Sequence, residues 1–194
     1  LKDHGYPYSK VETGEDDGPD GKTATVTYSA APGPIAYIGS IEIQGNKTVG
    51  ARVIERQLTF KTGDLYQRGV LQDAQRRLYG LELFQFANIE SQEDRNTQSP
   101  DVPTRVTVAE AKHQRLTTGF GYGSEEKARA TLRWDHLNFF GSARHAGVET
   151  KWSSLDRGVK LDYTEPYFVS GHYSLNFEGR AWQAVEPVYS LRSL

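Results

Sequence analysis

The stretch Leu116-Thr117-Thr118-Gly119-Phe120-Gly121-Tyr122-Gly123 alternates without a break. Leu116, Thr118, Phe120 and Tyr122 share one face of an extended chain, and Thr117, Gly119, Gly121 and Gly123 the other, because successive strand side chains point to opposite sides. The rule continues downstream. After a turn at Ser124 to Lys127, Ala128, Ala130, Leu132 and Trp134 oppose Arg129, Thr131, Arg133 and Asp135. Ala146, Val148, Thr150 and Trp152 then oppose His145, Gly147, Glu149 and Lys151. Val159, Leu161 and Tyr163 oppose Lys160, Asp162 and Thr164, and Tyr173, Leu175 and Phe177 oppose Ser174, Asn176 and Glu178. The pattern predicts five consecutive antiparallel strands.

A half-buried sheet in a soluble protein alternates in the same way. Three features point instead to the wall of a transmembrane barrel. The strands run about nine to eleven residues, the length that crosses a bilayer when tilted. The polar face carries charges of both signs, as a water-filled lumen allows, and Trp134, Trp152, Tyr163 and Tyr173 stand toward strand ends, where an aromatic girdle sits. The lipid-facing set is then Leu132, Trp134, Val148, Trp152, Leu161, Tyr163, Leu175 and Phe177. Five strands and the start of a sixth at Tyr189 cannot close a barrel, whose smallest form has about eight. The expectation is that residues beyond Leu194, or other chains, complete the sheet, since lipid does not tolerate open edges.

Upstream the period changes. Val49, Val53, Ile54 and Leu58 recur at helical spacing and predict a helix over Thr48 to Leu58, with Thr48 as its N-cap. A turn at Lys61 to Asp64 follows. Val70, Leu71, Ala74, Leu78 and Leu81 then mark a second amphipathic helix with Arg76 and Arg77 on its wet side. Strand patterns bracket the pair at Ile35 to Ile43, Phe86 to Ser91 and Val102 to Ala109. The order strand, helix, helix, strand, strand makes a small α+β domain. Leu1, Val11 and Val26 stand to one another much as Leu78, Ile89 and Val106 do, an offset of about 78 residues that implies tandem copies. Residues 1–33 therefore read as the last two strands of a preceding copy, joined by an acidic hairpin turn over Glu15 to Asp20. The expected boundaries are 1–33, 34–112 and 113–194.

Composition narrows the function. The 194 residues include no cysteine and no methionine and carry a formal net charge of -2, so disulfides, thiol nucleophiles and cysteine-zinc sites are excluded and nucleic acid is disfavoured. The start of the chain lacks the basic and apolar regions of a signal peptide, and no apolar run suits a spanning helix. Gly119, Gly121 and Gly123 lack the third-glycine spacing and following helix of a dinucleotide loop. His4, His113, His136, His145 and His172 show no short metal-ligand spacing. Asn46-Lys47-Thr48 fits a glycosylation sequon but is explained by a turn and a helix cap. No catalytic residues are identified.

The runs Gly45-Asn46-Lys47-Thr48, Gly63-Asp64-Leu65-Tyr66 and Leu78-Tyr79-Gly80-Leu81-Glu82-Leu83-Phe84 resemble the POTRA (polypeptide-transport-associated) domain. Gly119-Phe120-Gly121-Tyr122-Gly123, Leu137-Asn138-Phe139-Phe140-Gly141 and Tyr163-Thr164-Glu165-Pro166-Tyr167-Phe168 resemble the opening of the barrel in outer-membrane assembly proteins of the BamA and TamA type. His4-Gly5-Tyr6-Pro7-Tyr8 is similar to the end of a penultimate POTRA domain in the TamA-like branch. The resemblance spans nearly the whole chain. It implies a POTRA domain in the periplasm and an outer-membrane barrel, with unfolded outer-membrane or secreted proteins as clients. Periplasmic or lipoprotein accessory subunits and the lipid bilayer are further implied partners, and no nucleotide, metal or other cofactor is expected. It also implies an ascending first strand, periplasmic turns at Asn138 to Ala143 and Tyr167 to His172, and outward loops at Ser124 to Lys127 and Ser153 to Asp156.

Two surfaces are candidates for the work. One is the POTRA sheet edge Phe86, Ala87, Asn88, Ile89, Glu90 and Ser91, to which an extended client can add by backbone hydrogen bonds. The other reading of that edge is a strand kept soluble by Glu90, Glu93 and Asp94. The second surface is a barrel seam at Thr118, Gly119, Phe120, Gly121, Tyr122 and Gly123, where glycines weaken the first strand. Its other reading is that the glycines make room in the lumen. Two further functions remain open: a two-partner-secretion transporter of a dedicated substrate, and a soluble POTRA-bearing adaptor.

Overall fold

The computed structural model describes residues 1–17, 24–94, 96–169 and 173–184. It divides into two compact units, Leu1–Asn46 with Ile54–Ala109, and Lys47–Val53 with Glu110–Leu194. This division cuts the chain elsewhere than the boundaries expected at 33/34 and 112/113. The N-terminal residues belong to the first unit because side chains and backbone tie them in. Ala36 N–H donates to the Gly5 carbonyl at 2.8 Å, Gly69 N–H to Asp3 at 2.7 Å, and the Tyr8 hydroxyl to the Ser99 carbonyl at 2.8 Å. The buried Pro7 and Tyr8 and the positive φ of Gly5 give His4-Gly5-Tyr6-Pro7-Tyr8 a packing role of its own.

In the first unit, β1 (Lys10–Asp17) and β2 (Ala24–Ala31) form an antiparallel pair in continuous register from Lys10↔Ala31 to Asp17↔Ala24. Glu15 to Asp17 are therefore strand residues, and the rest of the expected acidic turn lies outside the described residues. Next along the chain come β3 (Tyr37–Gln44), α1 (Ala51–Glu55), α2 (Arg68–Gly80), β4 (Phe84–Ser91) and β5 (Asp101–Glu110), in the expected order, with the start of α1 and the last residue of β5 counted in the second unit. The sheet order is β3-β5-β4, with β3 and β5 parallel. The apolar stripe of α2, Leu71, Ala74 and Leu78, is buried, as are Ile38, Ile54, Ala87, Ile89, Val102 and Val106. Each such large aliphatic side chain contributes roughly 1.5–3 kcal/mol when fully buried.

The helix expected over Thr48 to Leu58 is only Ala51–Glu55, and Thr48 does not cap it. The N–H groups of Lys47, Thr48 and Val49 go to the Glu110 carboxylate and that of Gly50 to the Gly141 carbonyl, so tertiary partners hold the residues that would make its first turn. Local periodicity was overridden by long-range hydrogen bonds.

The second unit contains β6 (Gln114–Gly123), β7 (Lys127–Phe139), β8 (Arg144–Trp152), β9 (Asp156–Phe168) and β10 (Tyr173–Ala184). They form an antiparallel sheet in the order β10-β9-β8-β7-β6, so each strand pairs with its sequence neighbour. β7 runs past Asn138, which shortens the turn expected at Asn138 to Ala143 to Phe140 to Ala143, with Phe140, Gly141 and Ala143 all at positive φ. The end of the expected turn at Tyr167 to His172 and the strand start at Tyr189 lie outside the described residues. No helix among the described residues is long and apolar enough to cross a membrane.

Gly45 ends β3 at φ +91, and a Cβ there would collide with the Val108 carbonyl of β5. Gly45→Ala is expected to destabilise the protein by about 2–3 kcal/mol. Gly80→Ala, at the open end of α2 with nothing within 4 Å, is expected to change stability by under about 1 kcal/mol. Chemical denaturation midpoints of the two variants check this, and equal midpoints would contradict it.

Candidate functional site

In the first unit β4 is an edge strand of its sheet. A groove of about 400 Å³ runs beside it, with Tyr66, Arg68, Gln72 and Gln75 on one side and Asn88 and Glu90 on the other. Ala87 and Ile89 point into the core, while Phe86 and Glu90 are exposed. The strand is not bare. The Gln75 side chain donates to the Ala87 carbonyl at 3.0 Å and so occupies one of its backbone acceptors.

The three acids read as keeping this edge soluble have separate fates. Glu90 is exposed and accepts from the Asn88 amide. Glu93 is half-buried and accepts from the Tyr66 hydroxyl at 3.0 Å, the Ser91 hydroxyl at 3.1 Å and Lys2 at 3.2 Å. Burial and the nearby Glu93 charge push the Tyr66 phenol above its ordinary value. Asp94 closes the following turn, accepting the Asn96 N–H at 2.9 Å and the Thr97 hydroxyl at 2.8 Å. Glu90 and Asp94 both remain solvated charges, while Glu93 is drawn into a half-buried hydrogen-bond cluster.

In the second unit β6 stands at the end of the sheet order, which places Thr118 to Gly123 on an edge strand. Its glycines are seats for the neighbouring strand. A Cβ on Gly119 would lie 2.5 Å from the Thr131 hydroxyl and one on Gly121 2.5 Å from the Arg129 guanidinium, and these pairs are register partners. The same device recurs where Asp162 leans over Gly147 and the Trp182 ring over Gly158. Glycine here removes a side chain so that a longer partner can lie flat across the strand.

Register sorts the sheet into rows. Leu116, Trp134, Val148 and Leu161 are successive partners across four strands, with Tyr163 and Phe177 paired in the next row. All eight residues expected to face lipid lie on this face, and Leu132, Trp152, Leu161 and Phe177 are exposed. On the other face Arg133 reaches Asp135 at 2.8 Å, Glu149 at 3.0 Å and Asp162 at 3.3 Å. His145 lies 3.0 Å from Asp135 and 3.4 Å from Asp162. Asp135, His145 and Asp162 thus bring three potential metal ligands within 4.8 Å, a grouping invisible in linear spacing. The Arg133 guanidinium already bridges both carboxylates and supplies the positive charge there, which disfavours a cation.

Glu110, which no sequence pattern singled out, holds the loop that begins Gly45-Asn46-Lys47-Thr48. It accepts the N–H groups of Lys47 at 2.6 Å, Thr48 at 2.8 Å and Val49 at 2.9 Å, and the Thr48 hydroxyl. The buried Asn138 side chain adds a bond to the Thr48 carbonyl at 3.2 Å. Thr48 therefore serves the carboxylate, not a helix cap. Partial burial alone raises the Glu110 carboxyl, but the Thr48 hydroxyl and the Val49, Lys47 and Thr48 N–H groups outweigh it and bring it from 4.5 down to about 2.

Residues 36–111 match the POTRA family, described as surface antigen variable number repeat. The chain is similar to the outer membrane protein assembly factor BamA of Neisseria meningitidis serogroup B, with 23% identity over 175 residues covering 90% of this chain and 22% of that protein. It is 26% identical over 138 residues to BamA of Neorickettsia risticii, covering 71% of this chain and 18% of that one. The chain thus spans about a fifth of the length of these curated relatives. Among solved structures, BamA from Haemophilus ducreyi lacking POTRA domains 1–3 aligns with a TM-score of 0.81 at 21% identity, over 94% of this chain and 34% of that one. CdiB from Acinetobacter baumannii aligns with a TM-score of 0.52 at 16% identity, over 92% and 33%. At these identities the likeness is one of fold. A specific kinship to the TamA-like branch is not shown.

A folded value below the ordinary one means that the Glu110 contribution is complete above about pH 4.5 and lost as pH falls toward 2. The Lys47, Thr48 and Val49 amide resonances are expected to titrate with a midpoint near 2, and Glu110→Gln to speed their hydrogen exchange at neutral pH by about tenfold. NMR titration and exchange measure both, and an ordinary carboxylate midpoint with unchanged exchange would remove the clamp.

Proposed function

We propose that this chain belongs to the POTRA-bearing family of outer-membrane assembly proteins and is part of a factor that inserts or translocates outer-membrane proteins. Its POTRA domain lies in the periplasm and its sheet forms the first part of a transmembrane barrel wall in the outer membrane. Residues 1–33 are the end of a preceding POTRA copy. One observation carries the membrane reading. The sheet's apolar rows expose large side chains, Leu116 at 65%, Leu161 at 53% and Phe177 at 63%, while its charged rows are internally paired. A sheet in water packs its apolar face on a core; here the apolar face suits acyl chains and the charged face a lumen.

The edge strand β4 receives extended client segments by strand addition, since backbone pairing accepts many sequences. The edge strand β6 is the seam, and its pairing to β7 contains glycine seats and no ion pair among the described residues. This is a non-enzymatic role, in keeping with relatives named as assembly factors. Accessory periplasmic or lipoprotein subunits are further partners. A second reading, a two-partner-secretion transporter, draws on the likeness of fold to CdiB. A soluble adaptor is disfavoured by the exposed apolar side chains of these rows.

Three tryptophans separate the faces: Trp134 and Trp152 lie on the apolar face and Trp182 on the charged one. In single-tryptophan variants of the intact protein in bilayers, brominated acyl chains are expected to quench Trp134 and Trp152 by about half or more and to spare Trp182. Equal quenching of all three, or none, would sink the barrel reading. Photoreactive residues placed one at a time along 86–91 and 118–123 are expected to capture client during assembly. Adducts confined to other surfaces would remove the strand-addition role from both edges.

A further inference from the structure

Where β6 begins and β7 ends, the sheet unit carries a hollow of about 320 Å³ lined by Thr48, His113, Gln114, His136, Asn138 and Phe140. His136 continues the apolar face, paired with Gln114 on β6 and Ala146 on β8. Its ring packs edge-on against Trp134, with centroids 6.0 Å apart, and against Phe139 at 5.8 Å. The Asn138 N–H donates to His136 Nδ1 at 3.2 Å, which assigns the ring proton to Nε2 and makes that atom a donor. Two aromatic contacts and one hydrogen bond thus fix the orientation of an N–H group on the margin of an apolar surface.

Two lysines and one ionised carboxylate stand next to residues that line the hollow. Lys47 and Lys112 are exposed and directly precede Thr48 and His113 in the chain. The carboxylate in contact with Thr48, Glu110, is engaged by three N–H groups and a hydroxyl. The Asn138 amide is committed to the Thr48 carbonyl and the Ala143 N–H. The lining offers a ligand the His136 Nε2–H and the Gln114 amide, and the exposed Lys47 and Lys112 stand one residue along the chain from the lining residues Thr48 and His113. Beside them Phe140 is 78% exposed, with its ring 4.3 Å from that of Phe139. Donors for an anion next to exposed aromatic rings and the start of an apolar face suit one molecule that is anionic at one end and apolar at the other.

We propose that this hollow seats the phosphate of an anionic phospholipid, whose acyl chains lie along the face of Trp134, Leu132 and Val148. The site rests on the membrane reading above, in which the Phe140 to Ala143 turn is periplasmic and the lipid therefore belongs to the inner leaflet. A free phosphate would use the same donors but gain nothing from the aromatic margin.

The test uses the intact protein in phosphatidylcholine nanodiscs containing a minority of phosphatidylglycerol that is photoreactive near its glycerol. Peptides are mapped after illumination. Labelling is expected to concentrate on residues 112–114 and 136–141 and to fall about tenfold in the Lys112→Gln/His136→Phe double variant. His136→Phe keeps the ring stack while removing the donor. Labelling along 146–163 is expected to stay unchanged in that variant, which reports that the sheet is still folded in the bilayer. Lys112→Gln alone, an exposed change, is expected to give part of the fall. Even labelling along the apolar face, or enrichment at the hollow untouched by both variants, would overturn the proposal. Loss of the label to excess inorganic phosphate would assign the site to the free ion and overturn it too. Labelling absent from 146–163 as well would defeat the membrane reading itself, a separate failure.

Discussion

Register is the constraint on which the five-stranded sheet depends. Each strand alternates, so a slip of one residue would carry Arg133, Asp135, Glu149 and Asp162 onto the apolar face and Trp134 and Leu161 onto the charged one. The observed pairing prevents this twice over. Register partners line up Trp134 with Val148 and Val148 with Leu161. On the opposite side Arg133 spans to Glu149 on β8 and Asp162 on β9. An ion pair between half-exposed groups adds little stability by itself. A guanidinium shared among three carboxylates on three strands acts as a register pin, because only one alignment lets all of them meet.

Glycines complete that arrangement. Gly121 under Arg129, Gly147 under Asp162 and Gly158 under Trp182 each remove a side chain where a neighbour must cross. The same residues weaken the strand backbone, since glycine gives up the most conformational freedom on ordering. For β6, which stands at the end of the sheet order, both effects apply at once.

The POTRA unit works on a different principle. Its core is small and helical packing covers one face of a three-stranded sheet, leaving β4 and β3 as edges. The acids expected to guard β4 are largely drawn into structure: Glu93 gathers Tyr66, Ser91 and Lys2, and Asp94 caps a turn. What tempers the edge is the exposed Glu90 and Asp94 carboxylates and the Gln75 amide on the Ala87 carbonyl.

The sequence by itself determined the elements and their faces. Period two over residues 116 to 178 and period 3.6 in α2 follow from backbone geometry, and the buried or exposed state of Leu78, Val106, Trp152 and Phe177 follows from hydropathy at those periods. The tertiary structure decided what long-range partners control. It shortened α1, because Glu110 and Gly141 draw off the backbone donors of Lys47 to Gly50. It gave Thr48 to a carboxylate 62 residues away, a pairing with no periodic signature. It grouped Asp135, His145 and Asp162 across three strands, where ligand spacing in the chain was blank. Local preferences act within a turn of helix or a pair of residues, whereas hydrogen bonds and charges choose partners only once register has brought distant strands together.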